Sequence, residues 1–157
     1  MTTNFRGKHF ISTNDWTRQE LDTVFEMAFE LKRRFAVNEA HRYLADQTLF
    51  MLFFEQSTRT RNSMEAGMTQ LGGHAHDLTP DKMQLSHGES AKDTSIILSR
   101  MGHGIACRNC FYGQGNHYLN ELAKWAGVPV LSLQDDRYHP FQGLADLMTI
   151  FEYFGGD

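Results

Sequence analysis

The sequence is short of the residues that mark several classes of protein. It has two cysteines and three prolines in 157 residues, too few cysteines for a disulfide framework and too few prolines for a proline-rich disordered chain. Its longest unbroken hydrophobic run, Leu49 to Phe54, is far shorter than the roughly 20 residues that cross a bilayer. The start of the chain shows no pattern of a secretory signal. These shortages predict a cytoplasmic protein without a membrane partner.

The sequence also has no excess of basic residues. Lysine and arginine number 15 against 19 aspartate and glutamate residues, which gives a formal net charge of −4. A general nucleic-acid-binding protein is usually basic, so we expect no nucleic-acid partner. Ten of the 15 basic residues are arginines, whose forked geometry suits phosphate and carboxylate groups. With 41% hydrophobic residues, the chain is long enough for one domain with a buried core.

Hydrophobic periodicity predicts helices that alternate with strands. The capping box Thr17-x-x-Glu20 opens a first helix whose hydrophobic stripe runs to Phe35. We predict strands at 49–54, 74–78, 104–108 and 128–133, and helices that begin near Thr58, Ser90, Tyr118 and Pro140. This alternation is typical of an α/β fold, here a doubly wound, mostly parallel sheet of about four strands flanked by helices. Ligands bind such sheets beyond the carboxyl ends of the strands.

The first strand is followed by a cluster of hydroxyl and guanidinium groups, Ser57-Thr-Arg-Thr-Arg61. Arg59 and Arg61 fall in the first turn of the predicted helix, where the helix dipole disfavours each of them by a few tenths to about 1 kcal/mol. A bound phosphate would remove that penalty and would meet free N–H groups at the helix start. We therefore expect an anion site. A Ser or Thr N-cap followed by solvated arginines is the alternative.

The third predicted strand ends at Arg108, at the same edge of the sheet. Its guanidinium is placed either to bind a carbonyl or phosphate oxygen of a ligand or to pair with Glu55 or Asp77. Arginine and carboxylate pairs are common at protein surfaces. From the residues alone, the ion pair is the favoured interpretation.

The fourth predicted strand is followed by His139-Pro-Phe-Gln142. Pro140 fits the first helical position and restricts the preceding His139 to an extended conformation. Gln142 then lies about one turn into the helix, on the side that faces His139. Either the glutamine amide caps a backbone N–H group, or the imidazole and the amide both point into the crevice that holds Arg59 and Arg108.

These motifs together resemble the carbamoyl-phosphate half of the aspartate and ornithine carbamoyltransferases. The resemblance rests on Ser57-Thr-Arg-Thr-Arg61, Arg108 and His139-Pro-Phe-Gln-Gly-Leu-Ala-Asp146, which occur in the family's order, and it covers nearly the whole chain. Two further segments, 67–75 and 83–90, look more like the ornithine branch than the aspartate branch, and 8–15 is similar to the ornithine and N-acetylornithine enzymes.

The resemblance implies a role for each polar group in the crevice. Four residues would hold the phosphate of carbamoyl phosphate: Ser57, Thr58, Arg59 and Thr60. Three would polarise the carbamoyl carbonyl: Thr60, Arg108 and His139. Gln142 would accept a hydrogen bond from the carbamoyl NH₂ group. The expected catalytic residues are Arg59, Thr60, Arg108 and His139. An amine of an amino acid, most simply ornithine, would attack the carbonyl carbon and release phosphate, with no metal and no other cofactor.

The polar segment 79–89 is predicted to be a surface loop. In the family, the corresponding loop enters the site of a neighbouring subunit, which implies a homotrimer here with Gln84 and His87 reaching the neighbour. A basic residue usually stands at the position of His87, or a lysine at that of Gly88. A histidine makes such a contact sensitive to pH near neutrality. A loop that stays in solvent is the alternative.

Enzymes of this family are longer by a second domain, which binds the amino acid and carries a late His-Cys-Leu-Pro motif. That motif is absent here. The resemblance therefore implies that residues 1–157 form the carbamoyl-phosphate-binding domain alone, which would not turn over by itself. It also implies that the first and last helices expose hydrophobic faces, including some of Phe25, Phe35, Phe151 and Phe154.

Three other patterns are weak indications of other chemistry. Cys107-x-x-Cys110 has the spacing of a metal or thiol-exchange pair, but one such pair does not make a four-ligand zinc site. His74-Ala-His-Asp77 offers two imidazoles on one strand face, which is also incomplete. Gly113-Gln-Gly115 lacks the third glycine of a dinucleotide-binding loop.

The main rival hypothesis is a protein of a different class, a standalone phosphate-binding or regulatory module without transferase activity. Such a module needs only the turn from Ser57 to Arg61. Recognition of a carbamoyl group also needs a carbonyl polariser and an amide partner, the roles of His139 and Gln142. These two residues therefore discriminate between the hypotheses.

Overall fold

The computed structural model describes residues 5–155, which form four strands and five α-helices. The strands are β1 (Thr48–Phe53), β2 (His74–Leu78), β3 (Gly104–Asn109) and β4 (Val130–Asp135). The helices are α1 (Arg18–Ala36), α2 (Arg59–Gln70), α3 (Ala91–Met101), α4 (Gly115–Trp125) and α5 (Pro140–Phe154). No helix in this part of the chain is both long and hydrophobic enough to cross a membrane.

The four strands form one parallel sheet in the order β2-β1-β3-β4. This confirms the predicted doubly wound α/β fold. Leu49 of β1 pairs with Gly104 of β3, and Phe53 pairs with Arg108. From β1 the chain continues to β2 on one side of the sheet, whereas β3 and β4 follow on the other. Such a switch in strand order leaves a crevice at the carboxyl edge.

Alternate side chains of the strands build a hydrophobic cluster on each face of the sheet. On one face, Phe50 of β1 packs in the same cluster as Leu119 of α4. On the other face, Met51 packs with Met68 of α2 and with the partly buried Phe141 of α5. The sheet is therefore covered on both faces, and its carboxyl edge is left for α2 and α5 to border.

The first helix begins with the predicted capping box. The Thr17 side chain accepts the N–H of Glu20, and the Glu20 carboxylate accepts the N–H of Thr17. Phe25 of this helix is buried, and its ring lies 5.2 Å from the ring of Phe151 in α5. The prediction that these two helices expose some of their phenylalanines is confirmed by Phe35, which is 60% exposed, and by Phe154, which is 64% exposed. Phe25 is not one of the exposed residues.

Several predicted boundaries move by one to three residues. β1 ends at Phe53 rather than Phe54, α2 begins at Arg59, α4 begins at Gly115, and β4 begins at Val130 rather than Val128. The late start of β4 has a physical reason, because Pro129 has no N–H group to give to the strand pairing. The segment 79–89 contains two short 3-10 turns, Pro80–Lys82 and Gln84–His87.

Candidate functional site

A cleft of about 590 Å³ lies at the carboxyl edge of the sheet, between the starts of α2 and α5. The ends of β1, β3 and β4 all lead to it, which is where the switch in strand order predicts a ligand. The cleft is lined by every residue predicted to bind substrate within this chain: Ser57, Thr58, Arg59, Thr60, Arg108, His139 and Gln142.

The start of α2 forms one end of the cleft, called here the phosphate end and consisting of residues 57–60. Thr58 is the N-cap residue, and its side chain makes no capping hydrogen bond. The first N–H groups of an α-helix have no acceptor within the helix, so those of Arg59 and Thr60 are available to an anion. The first turn contains no acidic residue. The alternative of a side-chain N-cap is therefore wrong, and the helix start suits an anion.

Arg61 does not reach the cleft. Its guanidinium pairs with the carboxylate of Asp77 on β2 and lies 4.3 Å from the ring centroid of Phe53. The expectation that both first-turn arginines serve an anion is wrong for Arg61, because Asp77 on the neighbouring strand neutralises it. Of the two, only Arg59 lines the cleft.

Arg108 stands at the end of β3 and faces the same cleft. Its Nη1 donates to Oγ1 of Thr60 over 3.4 Å, and its buried Nε has no partner among residues 5–155. The favoured sequence interpretation, an ion pair, is wrong: within residues 5–155 neither Glu55 nor Asp77 bonds Arg108, although Oε2 of Glu55 is buried without a partner. Oε1 of Glu55 accepts the backbone N–H of Cys110 at 2.8 Å, and Asp77 pairs with Arg61.

His139 and Gln142 complete the other end of the cleft, called here the carbonyl end and consisting of Arg108, His139 and Gln142. His139 is the N-cap residue of α5, with φ −134° and ψ 70°. This conformation is non-helical, but its ψ lies below the extended range predicted for a residue before proline. No side-chain capping bond forms at this helix start. Nε2 of Gln142 instead donates to Oδ1 of Asp146 at 2.8 Å. The capping interpretation is therefore wrong, and Oε1 of Gln142 remains an acceptor.

Burial lowers the pKa of His139, the positive charge of Arg108 lowers it further, and Asp146 acts in the opposite direction. The imidazole is therefore neutral at pH 7 and has one N–H donor. Its Nδ1 is buried and has no partner within the described residues. Nε2 is thus the nitrogen that can meet a ligand, and a proton on Nε2 makes it a donor.

A buried carboxylate that the sequence analysis missed holds the loop before His139. Oδ1 of Asp135 accepts the backbone N–H groups of Arg137 at 2.8 Å and Tyr138 at 2.7 Å. An Asp side chain often accepts the backbone N–H two residues later in a turn. The sequence therefore contained a local indication of this contact. The neighbouring Asp136 accepts the backbone N–H groups of Gly113 and Asn116 at the start of α4. No pattern in the residues around Asp136 predicts this contact.

Gln84 and His87 do not line the cleft of their own chain. Both side chains are exposed in the 3-10 turn Gln84–His87, where Nδ1 of His87 lies 3.2 Å from Oγ of Ser86. Residues that serve a neighbouring subunit have to be exposed in this way. Their contact with a neighbour stays a prediction.

The weaker patterns gain no support from the structure. Burial raises the pKa of Cys107 well above its ordinary value, and burial together with Glu55 raises the pKa of Cys110. A protonated thiol is a poor nucleophile and metal ligand. His74 and His76 are exposed on the edge strand β2. Across residues 5–155, no three or more His, Cys, Asp or Glu side chains are grouped to hold a metal ion.

Comparisons with known proteins agree with the geometry. Residues 8–152 match the family model described as aspartate/ornithine carbamoyltransferase, carbamoyl-P binding domain. The ornithine carbamoyltransferase of Syntrophotalea carbinolica is 42% identical over 146 residues, which are 93% of this chain and 47% of that protein.

Two solved structures extend the likeness to three dimensions. The ornithine carbamoyltransferase of Pyrococcus furiosus matches with a TM-score of 0.91 and 38% identity, covering 98% of this chain and 48% of its own. An acetylornithine transcarbamylase complexed with acetylcitrulline matches with a TM-score of 0.82 and 31% identity, covering 94% and 48%. The chain spans about half the length of the relatives it matches. It belongs to the family of carbamoyl-phosphate-binding domains of aspartate and ornithine carbamoyltransferases.

Proposed function

We propose that this chain is the carbamoyl-phosphate-binding half of an ornithine carbamoyltransferase. The observation that carries the proposal is the cleft, in which a helix start suited to an anion faces Arg108, His139 and Gln142. Carbamoyl phosphate needs both ends, because it joins a phosphate to a small planar amide. The names of the relatives favour ornithine as the second substrate of the complete enzyme.

In this proposal the phosphate binds at the start of α2. The backbone N–H groups of Arg59 and Thr60 donate to its oxygens, and the hydroxyls of Ser57 and Thr58 add further bonds. The Arg59 guanidinium supplies a charge-assisted, forked contact. The N-terminal end of the helix dipole favours the same negative charge.

The carbamoyl group lies at the carbonyl end. Its oxygen receives hydrogen bonds from the Thr60 hydroxyl, the Arg108 guanidinium and Nε2 of His139, while Oε1 of Gln142 accepts from its NH₂ group. The existing contact between Arg108 and Thr60 supports this arrangement. A ligand that lacks either the oxygen or the NH₂ group leaves one of these partners unpaired, which disfavours its binding.

The same donors assist the reaction. When an amine nitrogen attacks the carbonyl carbon, negative charge develops on the carbonyl oxygen, and preorganised donors stabilise that charge. The bond from carbon to the phosphate oxygen then breaks, phosphate leaves with the electron pair, and the attacking nitrogen loses a proton. Holding both substrates in line can lower the barrier by about 7 kcal/mol or more.

In the complete enzyme the amino acid would be bound outside residues 1–157, which span about half the length of the relatives. We therefore expect the chain to bind carbamoyl phosphate without forming citrulline. In the complete enzyme, a homotrimer would bring Gln84 and His87 of one subunit to the cleft of the next. The expected setting is arginine metabolism, and the expected compartment is the cytoplasm.

Calorimetric titration tests the binding step. We expect saturable binding of carbamoyl phosphate, weaker binding of inorganic phosphate, and about a hundredfold weaker binding of both in Arg59→Ala. Arg100→Ala, an exposed arginine on α3, is the matched control and should bind as the unmodified chain does. Equal affinity for the two ligands, together with no effect of His139→Ala on either, would identify a simple anion-binding module and overturn the proposal.

A further inference from the structure

Two adjacent carboxylates hold the carbonyl end of the cleft together without lining it. We propose that Asp135 and Asp136 are positioning residues, which lock the loop between β4 and α5 onto the start of α4 and so fix His139 relative to Arg108. The inference rests on the proposed function, because it explains how the carbonyl end keeps its geometry.

Asp135 closes the loop on itself. It is 4% exposed, and its Oδ1 accepts the N–H groups of Arg137 and Tyr138 at 2.8 and 2.7 Å. Its own N–H donates to the Tyr138 carbonyl at 2.9 Å. Oδ2 accepts from Oγ of Ser132 and from Nδ2 of Asn116, both at 3.2 Å. The loop is thereby tied to β4 and to α4 immediately before α5 begins.

Asp136 ties the same loop to the backbone of α4. Its Oδ1 accepts the N–H of Asn116 at 2.7 Å, and its Oδ2 accepts the N–H of Gly113 at 2.8 Å. The N-cap residue of α4, Gln114, gives no side-chain capping bond. The N–H of Asn116 is the leading cause of the lowered pKa of Asp136. A carboxylate from the loop thus caps a helix some 20 residues earlier in the chain.

The start of α4 that Asp136 caps also packs against β3, the strand that carries Arg108. A Cβ atom on Gly115 would lie 1.8 Å from the carbonyl oxygen of Asn109 and 3.2 Å from Oδ1 of Asp136. Only glycine allows α4 to start this close to the end of β3. Arg108 immediately precedes Asn109, so the end of β3, the start of α4 and the loop form one packed unit.

Two of the other helices, α1 and α3, are capped by a side chain at their own start. Thr17 caps α1 and Ser90 caps α3 with their own side chains, within three residues of the N–H groups they bond. α4 instead takes its cap from the loop that ends at His139. The cap from Asp136 connects the loop before His139 to the helix that packs against the end of β3, next to Arg108, which a cap from within α4 would not do.

Two variants of Asp136 test the proposal, with the dissociation constants of carbamoyl phosphate and inorganic phosphate as the first measurement. Asp136→Ala should weaken the binding of carbamoyl phosphate about tenfold, because a misplaced His139 loses about one hydrogen bond to the ligand. Inorganic phosphate should change less than about twofold, because α2 is untouched. Asp136→Asn keeps one acceptor oxygen and should restore part of the affinity.

The second measurement is the pKa of His139 by NMR without ligand. In Asp136→Ala the released loop should move the imidazole away from burial and from Arg108, so its pKa should rise toward the ordinary value. Asp93→Ala is the matched control. It removes a carboxylate that accepts from Oγ of Ser90 at the start of α3, at 2.7 Å. It should leave both the ligand preference and the His139 pKa unchanged.

The outcomes separate the two proposals. An unchanged ligand preference with an unchanged His139 pKa in Asp136→Ala overturns the inference, as does an equal loss for both ligands in step with the loss of unfolding free energy. If the unmodified chain shows no preference for carbamoyl phosphate, the proposed function fails. The His139 titration still decides whether Asp136 positions the imidazole.

Discussion

The two ends of the cleft are built in different ways. The phosphate end is local: residues 57–60 follow one another at a single strand-helix junction, and the helix start itself provides the N–H groups. The carbonyl end is assembled from distant parts of the chain, with Arg108 on β3 and His139 and Gln142 at the start of α5. A helix N-terminus can recognise an anion by itself, whereas a small planar group requires donors and acceptors fixed from several elements.

This difference predicts two kinds of mutational effect. A change at the phosphate end should weaken carbamoyl phosphate and inorganic phosphate alike, since both carry the anion. A change at the carbonyl end should alter the ratio of the two affinities, since only carbamoyl phosphate carries the amide. Measuring both ligands on each variant therefore tests the comparison directly.

The largest effect is expected for Arg59→Ala. The substitution removes the charged fork from the phosphate end, and both ligands should bind about a hundredfold more weakly by calorimetry. Arg59→Lys keeps the charge but loses the forked geometry, so it should recover part of the loss for both. A loss confined to carbamoyl phosphate would contradict the division of the cleft into two ends.

His139→Ala should show the opposite behaviour. Carbamoyl phosphate loses the donor from Nε2 and should bind about tenfold more weakly, while inorganic phosphate should change less than about twofold. His117→Ala, an exposed histidine on α4, is the matched control. Equal weakening of both ligands by His139→Ala would place the imidazole at the phosphate end instead.

The two ends also differ in how far the sequence predicts them. Ser57 to Thr60 can be identified from adjacent residues, because a helix start depends on local backbone. The ion pair of Arg61 could not be predicted, because its partner Asp77 lies on β2 and neither segment indicates that β2 pairs with β1. The cap that Asp136 gives α4 was unpredictable for the same reason. Local patterns predicted the elements and the crevice, and tertiary partners decided which side chains remained free to bind.

A smaller effect concerns stability at acid pH. Burial and then Arg108 lower the pKa of His139 below its ordinary 6.5, so below that pH the unfolded chain binds more protons than the folded chain. The free energy of unfolding should therefore fall as the pH falls through this window. Urea unfolding at about pH 7.5 and about pH 5.5 measures the slope. His139→Ala should reduce the slope without removing it, because burial also lowers the pKa of His9.

The smallest effect is expected for Gln142→Ala. The Gln142 side chain is exposed to the cleft and already bonds Asp146, so a neutral hydrogen bond from its Oε1 should add about 0.5–1 kcal/mol, or roughly threefold in affinity. The loss should appear for carbamoyl phosphate and not for acetyl phosphate, whose methyl group has no N–H to donate.

His139→Ala should instead weaken both acyl phosphates, because each has a carbonyl oxygen. Competition between the two ligands, measured by calorimetry on both variants, separates recognition of the NH₂ group from recognition of the carbonyl. If Gln142→Ala weakens acetyl phosphate equally, the Gln142 amide does not recognise the NH₂ group.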